Sequence, residues 1–291
     1  MLSLVLPKGS LESATLDLFD AADLTVRRSS ARDYHASIDD PRIDKVRFLR
    51  PQEIPVYLER GLFDAGITGR DWIEETGASV VSLGELQYSK ATSQPVRVVL
   101  AVPDGSPWQS VADLPDGVHI STEFPSLTRR FLETHGVKAT IVPSYGATEA
   151  KVPDIVDAIV DLTETGSSLR RNGLRVLETV VTSYTEFVAN ADAHADEGKR
   201  AAMEDIRLLL RGAIQARGNV LLKLNVPAAR LEAVTEMLPA MSSPTITRLA
   251  RGEMNAVETV VPKTGVNTLI PALKAAGARD ILEIPISKIV E

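Results

Sequence analysis

The chain contains no cysteine in 291 residues. That absence excludes a disulfide framework, a thiolate nucleophile, cysteine-ligated zinc and iron–sulfur chemistry. Histidine is scarce too: four residues, none arranged as His-x-x-x-His, leave little for an imidazole site, so any metal must be a hard, oxygen-bound one. Positive charge is not in excess. With 32 Lys and Arg against 39 Asp and Glu, the formal charge is -7, which argues against a nucleic-acid binder that works through a global basic surface. Long hydrophobic runs are also missing. The apolar start, Met1–Leu6, ends at Pro7-Lys8-Gly9 and lacks a basic flank; it is far shorter than the ~20 residues that span a bilayer. It reads as a buried first strand, and the chain as cytoplasmic, with neither nucleic acid nor membrane as partner.

What is present is ordinary globular composition, 44% hydrophobic and 24% charged. At about 100 to 200 residues per domain, the length predicts roughly two domains with cores of their own. Short apolar runs alternate with helical patterns, the mark of an α/β architecture. Leu2–Leu6 reads as a strand, and Leu11, Ala14, Leu18, Ala21 and Ala22 follow at helical spacing behind Ser10. The arrangement recurs at Val46–Leu49, with Arg50-Pro51 opening a helix to Arg60, and at Ala65–Thr68, with Gly69-Arg70-Asp71 opening another. Three strand ends thus meet three helix starts, where open α/β sheets collect anionic ligands.

The pattern breaks at Ser89–Gln94, which marks a lobe boundary. Beyond it lie strand-like Val96–Val102 and Val118–Ile120, a helix over Pro125–Thr134, then strand-like Ala139–Val142, Ala158–Leu162, Val176–Val181 and Tyr184–Ala189. A charged amphipathic helix, Asp196–Ala216, reads as a connector. From Asn219 the order is β-α-β-β-α-β: strand Asn219–Val226, helix Pro227–Leu238, strands Thr245–Leu249 and Asn255–Val261, helix Gly265–Ala276 and strand Ile281–Ile286. This is the ferredoxin-like split unit, which by itself says nothing about function.

The most informative stretch runs from Asp157 to Leu169. A buried strand ends in a carboxylate, Asp161, and a loop of small hydroxyl residues around a glycine follows. Such a loop offers convergent N–H and hydroxyl donors to a phosphate, and glycine lets the main chain come close. The acid cannot bind phosphate, but it can accept from vicinal sugar hydroxyls and face a developing oxocarbenium cation; the pair suits a ribose 5-phosphate. On spacing alone, the same residues also read as a strand edge and a polar turn, and the charge of Glu164 has to point away from a phosphate.

The whole chain resembles the long-form ATP phosphoribosyltransferase family of histidine biosynthesis. The resemblance rests on Leu6-Pro7-Lys8-Gly9, Leu49-Arg50-Pro51 with Ile54-Pro55, Asp64-Ala65-Gly66-Ile67-Thr68-Gly69 and Gly146-Ala147-Thr148-Glu149. It continues through the Asp157–Leu169 loop, Gly212–Arg217, Ser243-Pro244-Thr245-Ile246 and Ile284–Lys288. It implies a two-lobed, periplasmic-binding-protein-like catalytic part, with lobe I at 1–92 and 182–211 and lobe II at 93–181, followed by a regulatory ferredoxin-like (ACT-like) domain at 212–291. The implied reaction joins ATP, through adenine N1, to phosphoribosyl pyrophosphate and releases pyrophosphate, with Mg²⁺ required; the metal's ligands are not implied.

Carried onto this sequence, Asp161 holds the ribose hydroxyls, and Thr163, Thr165, Gly166, Ser167 and Ser168 cradle the 5-phosphate. Asp157, in the same segment, supports the strand or the metal. Glu149 is a second ligand-facing carboxylate. Lys8, Gly9, Arg50, Gly69 and Arg70 fall at the strand ends that take the ATP side, Lys8 also as a catalytic charge; Asp71 as readily caps its helix as touches ligand. Arg129 and Arg130 read mostly as a solvated helix face. Feedback inhibition by histidine is implied, with Thr245 as first contact, and so is a homo-oligomer between dimer and hexamer. Ser10, Lys223, Asn225 and Asp280 depart from the family pattern. A different class, a solute-binding regulator with the same cleft and no chemistry, has no reason to carry the Asp161–Ser168 loop. Hydroxymethylbilane synthase, of similar lobe design, attaches its cofactor through a cysteine, which this chain lacks.

Overall fold

The computed structural model describes residues 1–88, 95–239, 243–250 and 252–290. Two compact units divide the chain: Met1–Asp20 with Leu24–Arg207, and Leu208–Glu291 with Ala21–Asp23.

The first unit opens with β1 (Leu2–Pro7), α1 (Glu12–Ala21), β2 (Val26–Arg27), β3 (His35–Ile38), β4 (Ile43–Leu49), α2 (Ile54–Glu59), β5 (Ala65–Gly69), α3 (Arg70–Thr76) and β6 (Val81–Leu86). A second lobe follows: β7 (Val96–Pro103), β8 (Val118–Thr122), α4 (Pro125–Thr134), β9 (Ala139–Pro143), β10 (Ala158–Thr163), α5 (Ser167–Arg171) and β11 (Leu174–Ser183). The chain returns through β12 (Thr185–Ala189), α6 (Ala191–Ala195) and α7 (Glu197–Ala216).

Among the described residues, one sheet has the order β2-β3-β4-β1-β5-β12-β6 and the other β11-β7-β10-β8-β9. β1 lies parallel to β4 and β5, so Pro7, Leu49 and Gly69 end on the same edge. The chain leaves the first sheet after β6 and comes back at Tyr184, between β11 and β12. This double crossing is the two-lobed, periplasmic-binding-protein-like α/β arrangement expected from the sequence. Val98, Leu100 and Val102 pack on one face of the second sheet, and Val99 and Ala101 on the other. Burial on both faces accounts for the uninterrupted apolar run over Val98–Val102.

The second unit continues from α7 into β13 (Asn219–Pro227), α8 (Leu231–Thr235), β14 (Thr245–Arg248), β15 (Met254–Pro262), α9 (Lys263–Ala275) and β16 (Arg279–Pro285). The sheet order β14-β15-β13-β16 is antiparallel throughout, which is the ferredoxin-like order expected. Val220, Leu222, Leu224 and Val226 alternate inward on β13 and pack with Val234 of α8 and with Val266 and Leu273 of α9. The period of two places Lys223 and Asn225 on the other face.

Several expectations are corrected. Arg50-Pro51 does not open α2; residues 51–53 form a turn, and Pro55 in the first helical turn sets the start, the position where a missing N–H costs nothing. Helix Pro227–Leu238 shrinks to a 3₁₀ turn at Ala228–Arg230 and the short α8. Tyr184 lies between strands and belongs to neither. The sequence reading missed β2, β3 and β6, of which β2 and β3 are only two and four residues long. The boundary expected at Ser89–Gln94 lies outside the described residues.

Candidate active site

Pro7-Lys8-Gly9-Ser10 turns the chain from β1 into α1. Gly9 has φ +102°, and a Cβ there would lie 3.1 Å from Arg50 Nη1, so the Arg50 side chain from the end of β4 lies against this turn. Arg50 is exposed, and its guanidinium has no hydrogen bond or ion pair among the described residues. Lys8 is different. Its ammonium donates to the Ala31 carbonyl at 2.8 Å and pairs with Glu12 at 3.2 Å. Arg28 reaches the same carboxylate at 2.6 Å while lying over the Phe48 ring. Partial burial works against ionisation of Glu12, but Arg28, the Gly9 N–H and Lys8 together hold it below the usual carboxylate range. Two cations, Lys8 and Arg28, thus flank one carboxylate, and the turn is left with net positive charge. Sequence reasoning missed Arg28; the Arg27-Arg28 pair ahead of a serine turn was the available signal.

Gly69 ends β5, and a Cβ there would fall 2.0 Å from Asp71 Oδ1. Asp71 is only 3% exposed. Burial pushes its carboxyl above the ordinary range, opposed by a 2.6 Å hydrogen bond donated by Ser183. Arg70 is not an open phosphate grip, because its guanidinium is engaged by Glu74 at 2.5 Å and by Glu186 at 3.7 Å. Arg130 donates to the Glu74 carbonyl, and Glu75 accepts the Ser126 and Leu127 N–H groups at 3.0 and 2.8 Å, tying α3 to the first turn of α4 across the two lobes. Asp64 is likewise engaged. It accepts from Ser3 and Lys199, holding β1 beside β5.

On the second lobe, Asp161 stands near the carboxyl end of β10. Burial raises its pKa to about 6; the Glu149 and Glu123 charges add to that, while the Leu162 N–H at 2.7 Å and the Thr148 hydroxyl oppose it. The loop after it is braced from within. Gly166, at φ +72°, donates its N–H to Thr163 Oγ1 at 2.9 Å, Thr165 and Ser167 share a hydroxyl contact of 3.1 Å, and Ser168 donates to Glu149 at 2.6 Å. Glu149, Asp161 and the loop therefore come together from separate segments. Asp157 does not join them. It lies at the opposite end of β10, where its carboxylate accepts the His119 N–H at 2.8 Å and supports the pairing of β8 with β10.

A cavity of about 280 Å³ connects the two walls. Ser10, Leu11, Pro51, Gly69 and Asp71 line it from the first lobe, and Leu162 of β10 with Glu164 of the loop after it from the second. Trp72, Tyr88 and Tyr184 supply flat apolar surface. In the second unit Thr245 is exposed at the start of β14, in register with Glu258. Two of the departures pair with each other there, Asn225 donating to Asp280 at 2.8 Å, and a third, Lys223, pairs with Glu258 at 2.7 Å.

One lobe carries a partly buried carboxylate followed by a hydroxyl-rich glycine loop, and the other a strand-end turn of net positive charge, groups of the kind a transferase of phosphorylated substrates uses. A family model described as ATP phosphoribosyltransferase matches residues 50–212, and one described as HisG, C-terminal domain, matches residues 216–288. The chain belongs to the ATP phosphoribosyltransferase family, pentosyltransferases of histidine biosynthesis, in the long form with a C-terminal domain. An ATP phosphoribosyltransferase of Chlorobium phaeovibrioides is 48% identical over 100% of this chain and 98% of its own. That of Pelotomaculum thermopropionicum is 47% identical over 99% of each. A solved ATP phosphoribosyl transferase (HisG:HisZ) complex from Thermotoga maritima matches with TM-score 0.63 and 28% identity, over 74% of this chain and 99% of that one.

Proposed function

We propose that this enzyme joins ATP to phosphoribosyl pyrophosphate in the cavity between the lobes of the first unit, with lobe I at 1–92 and 182–211 and lobe II at 93–181. The observation that carries this reading is the cavity itself, which runs from the Ser10-Leu11 turn to Leu162 and Glu164. The ribose lies on Asp161, and the 5-phosphate in the loop of Thr163, Thr165, Gly166, Ser167 and Ser168. Glu149 holds Ser168 and faces the ribose. Arg50, with Gly9, takes polyphosphate oxygens, and the cluster of Lys8, Arg28 and Glu12 adds a positive field behind it. Gly69 gives the base a flat approach beside Trp72.

Little acid–base machinery is needed. The adenine N1 lone pair is already free, so no residue has to remove its proton. Rate comes from aligning N1 with ribose C1 and from Asp161 facing the positive charge that develops as pyrophosphate departs.

No group of three or more His, Cys, Asp or Glu placed to hold a metal occurs among the described residues. That fits Mg²⁺, which keeps several waters and binds through one or two carboxylates plus substrate oxygens. Glu149 and Glu123, whose charges already reach Asp161, are the side chains to hold it. When bound it neutralises charge on the departing pyrophosphate.

The 212–291 domain senses histidine, with Thr245 as a contact, and assembles the chain as a homo-oligomer, dimer to hexamer, in the cytoplasm. One assay tests both parts. Protein, ATP, phosphoribosyl pyrophosphate and Mg²⁺ are mixed with pyrophosphatase, and adduct absorbance is followed with and without histidine. Adduct formation that histidine suppresses is expected. Absence of adduct overturns the catalytic reading, and adduct indifferent to histidine overturns the regulatory one.

A further inference from the structure

Asp71 stands in the first turn of α3 and lines the cavity, although only 3% of it is exposed. Its Oδ1 accepts the Ser183 hydroxyl at 2.6 Å. A Cβ on Gly69 would fall 2.0 Å from that same oxygen, so the carboxyl occupies the space that a side chain at 69 would fill. An acid this buried is usually paired with a cation. Asp71 is not: Arg70 beside it is turned to Glu74 and Glu186, and no Lys or Arg pairs with it among the described residues. Ser183 is its one side-chain donor among them, and a carboxylate can accept about four hydrogen bonds. Acceptor capacity is left for a ligand.

The rest of the cavity narrows what that ligand group is. None of the described residues that line it is Lys or Arg, so its interior suits no phosphate. Trp72, Tyr88 and Tyr184 give it aromatic walls, and Leu11, Leu86 and Leu162 add apolar surface. Such walls suit a flat heterocycle, which a few polar groups then orient. Purines differ at position 6, where adenine carries an amine that donates and hypoxanthine or guanine an oxo oxygen that accepts. A carboxyl keeps an acceptor oxygen whether ionised or protonated. Glu164, the other acid of the lining, follows β10 on the second lobe, the side of the ribose and its 5-phosphate.

We propose that Asp71 is the specificity-determining residue for the base: it accepts from the 6-amino group of adenine and so selects aminopurine over oxopurine triphosphates. Ser183 and Gly69 fix where it does so, the one by its hydrogen bond and the other by having no side chain. Because the 6-amino group adjoins N1, this contact also orients the reacting edge of the ring. The inference rests on the reading that the base lies beside Gly69 and Trp72.

The test is a cycle between protein and ligand on the full-length enzyme. Isothermal titration compares ATP with purine riboside 5′-triphosphate, which keeps N1 and the phosphates and lacks only the amine. The unsubstituted enzyme should bind ATP roughly ten- to a hundredfold tighter, the range for one hydrogen bond to a charged group. Asp71→Ala should remove most of that advantage, weakening ATP and leaving the analogue nearly as before. Asp71→Asn, which can turn an amide N–H to an oxo group, should lower the preference for ATP over inosine triphosphate by roughly tenfold. An Asp71 that served only to hold β11 to α3 would weaken every ligand alike. Equal losses of ATP and the analogue in Asp71→Ala overturn the proposal, as does an ATP advantage that survives there and disappears in Glu164→Gln. Should Asp71→Ala fail to fold, the preference of Asp71→Asn decides alone. Trp72→Leu separates the two readings: unchanged affinity for both triphosphates moves the base out of the cavity, whereas weakened binding of both, with the ATP advantage intact in Asp71→Ala, removes the Asp71 contact only.

Discussion

Ser183, the last residue of β11, donates its hydroxyl to the buried Asp71 at 2.6 Å and accepts the Asp71 N–H at 3.0 Å. The Arg70 N–H meets the Tyr184 carbonyl at 2.9 Å beside it, so the segment that returns from the second sheet is stitched to the start of α3. Ser183→Ala removes one donor to a buried carboxyl, which costs about 1–3 kcal/mol. The sign with pH follows from the raised folded pKa. The stabilising contribution of Asp71 is complete below its unfolded value of about 4 and is lost as pH rises toward the folded one. The Ser183 hydrogen bond favours the ionised form, so the deficit of Ser183→Ala should widen toward higher pH. Urea denaturation at several pH values measures it, and a deficit that narrows would contradict this account.

Asp161, proposed to face the ribose, sits where burial and neighbouring carboxylates disfavour its charge. Its pKa of about 6 predicts that kcat rises with pH through that region as the carboxylate ionises. Asp161→Asn should lower kcat by about 10²–10³, the range for removing one preorganised charge contact. Stability should move the other way. An acid whose folded pKa is raised loses its stabilising contribution between its unfolded value and about 6, so at pH 8 the neutral asparagine should hold or raise Tm. Kinetics and calorimetry on one protein sample check both directions.

Gly166 and Thr165 test the phosphate loop. A Cβ at Gly166 would meet Arg170 Nη1 at 2.8 Å, at a backbone φ of +72°, and the left-handed conformation itself costs an alanine roughly 1 kcal/mol. Gly166→Ala and Thr165→Ala should both raise the KM for phosphoribosyl pyrophosphate more than they lower kcat. Isothermal titration with that ligand gives the same answer without turnover, and unchanged affinity in both variants would move the 5-phosphate elsewhere.

Arg50 and Arg70 looked equivalent at two strand ends, yet their surroundings separate them. Arg50→Ala removes a guanidinium with no partner among the described residues, and the KM for ATP should rise by roughly tenfold, about 1.4 kcal/mol of a charge-assisted contact, with Tm unchanged. Arg70→Ala leaves Glu186, 5% exposed, without its cation. Its main effect should be on Tm, with the KM for ATP nearly as before. Equal effects of the two substitutions on KM would restore both as ligands.

Much of this protein was legible in one dimension. The apolar runs of β1, β7 and β10 and the apolar periodicities of α4, α7 and β13 depend on which sides of an element face a core, a local property that sequence spacing records. The acid followed by Thr-Glu-Thr-Gly-Ser-Ser shows on its face a strand end and a donor-rich loop. Tertiary structure decided the partners. Asp157 and Asp161 are both carboxylates of one short segment, but a strand advances about 3.3 Å per residue, and only the pairing of β10 with β8 consigns the first to the far end. Lys8 and Arg70 are spent on Glu12 and Glu74, while Arg50 stays open. Residues distant in the chain, Lys151 with Ser121 and Asp71 with Ser183, meet only after the sheets assemble. Composition and spacing determined what kinds of groups this enzyme has, since covalent sequence sets local geometry. Their pairing arises from contacts across long loops, and the fold alone determines which charges remain free to meet a substrate.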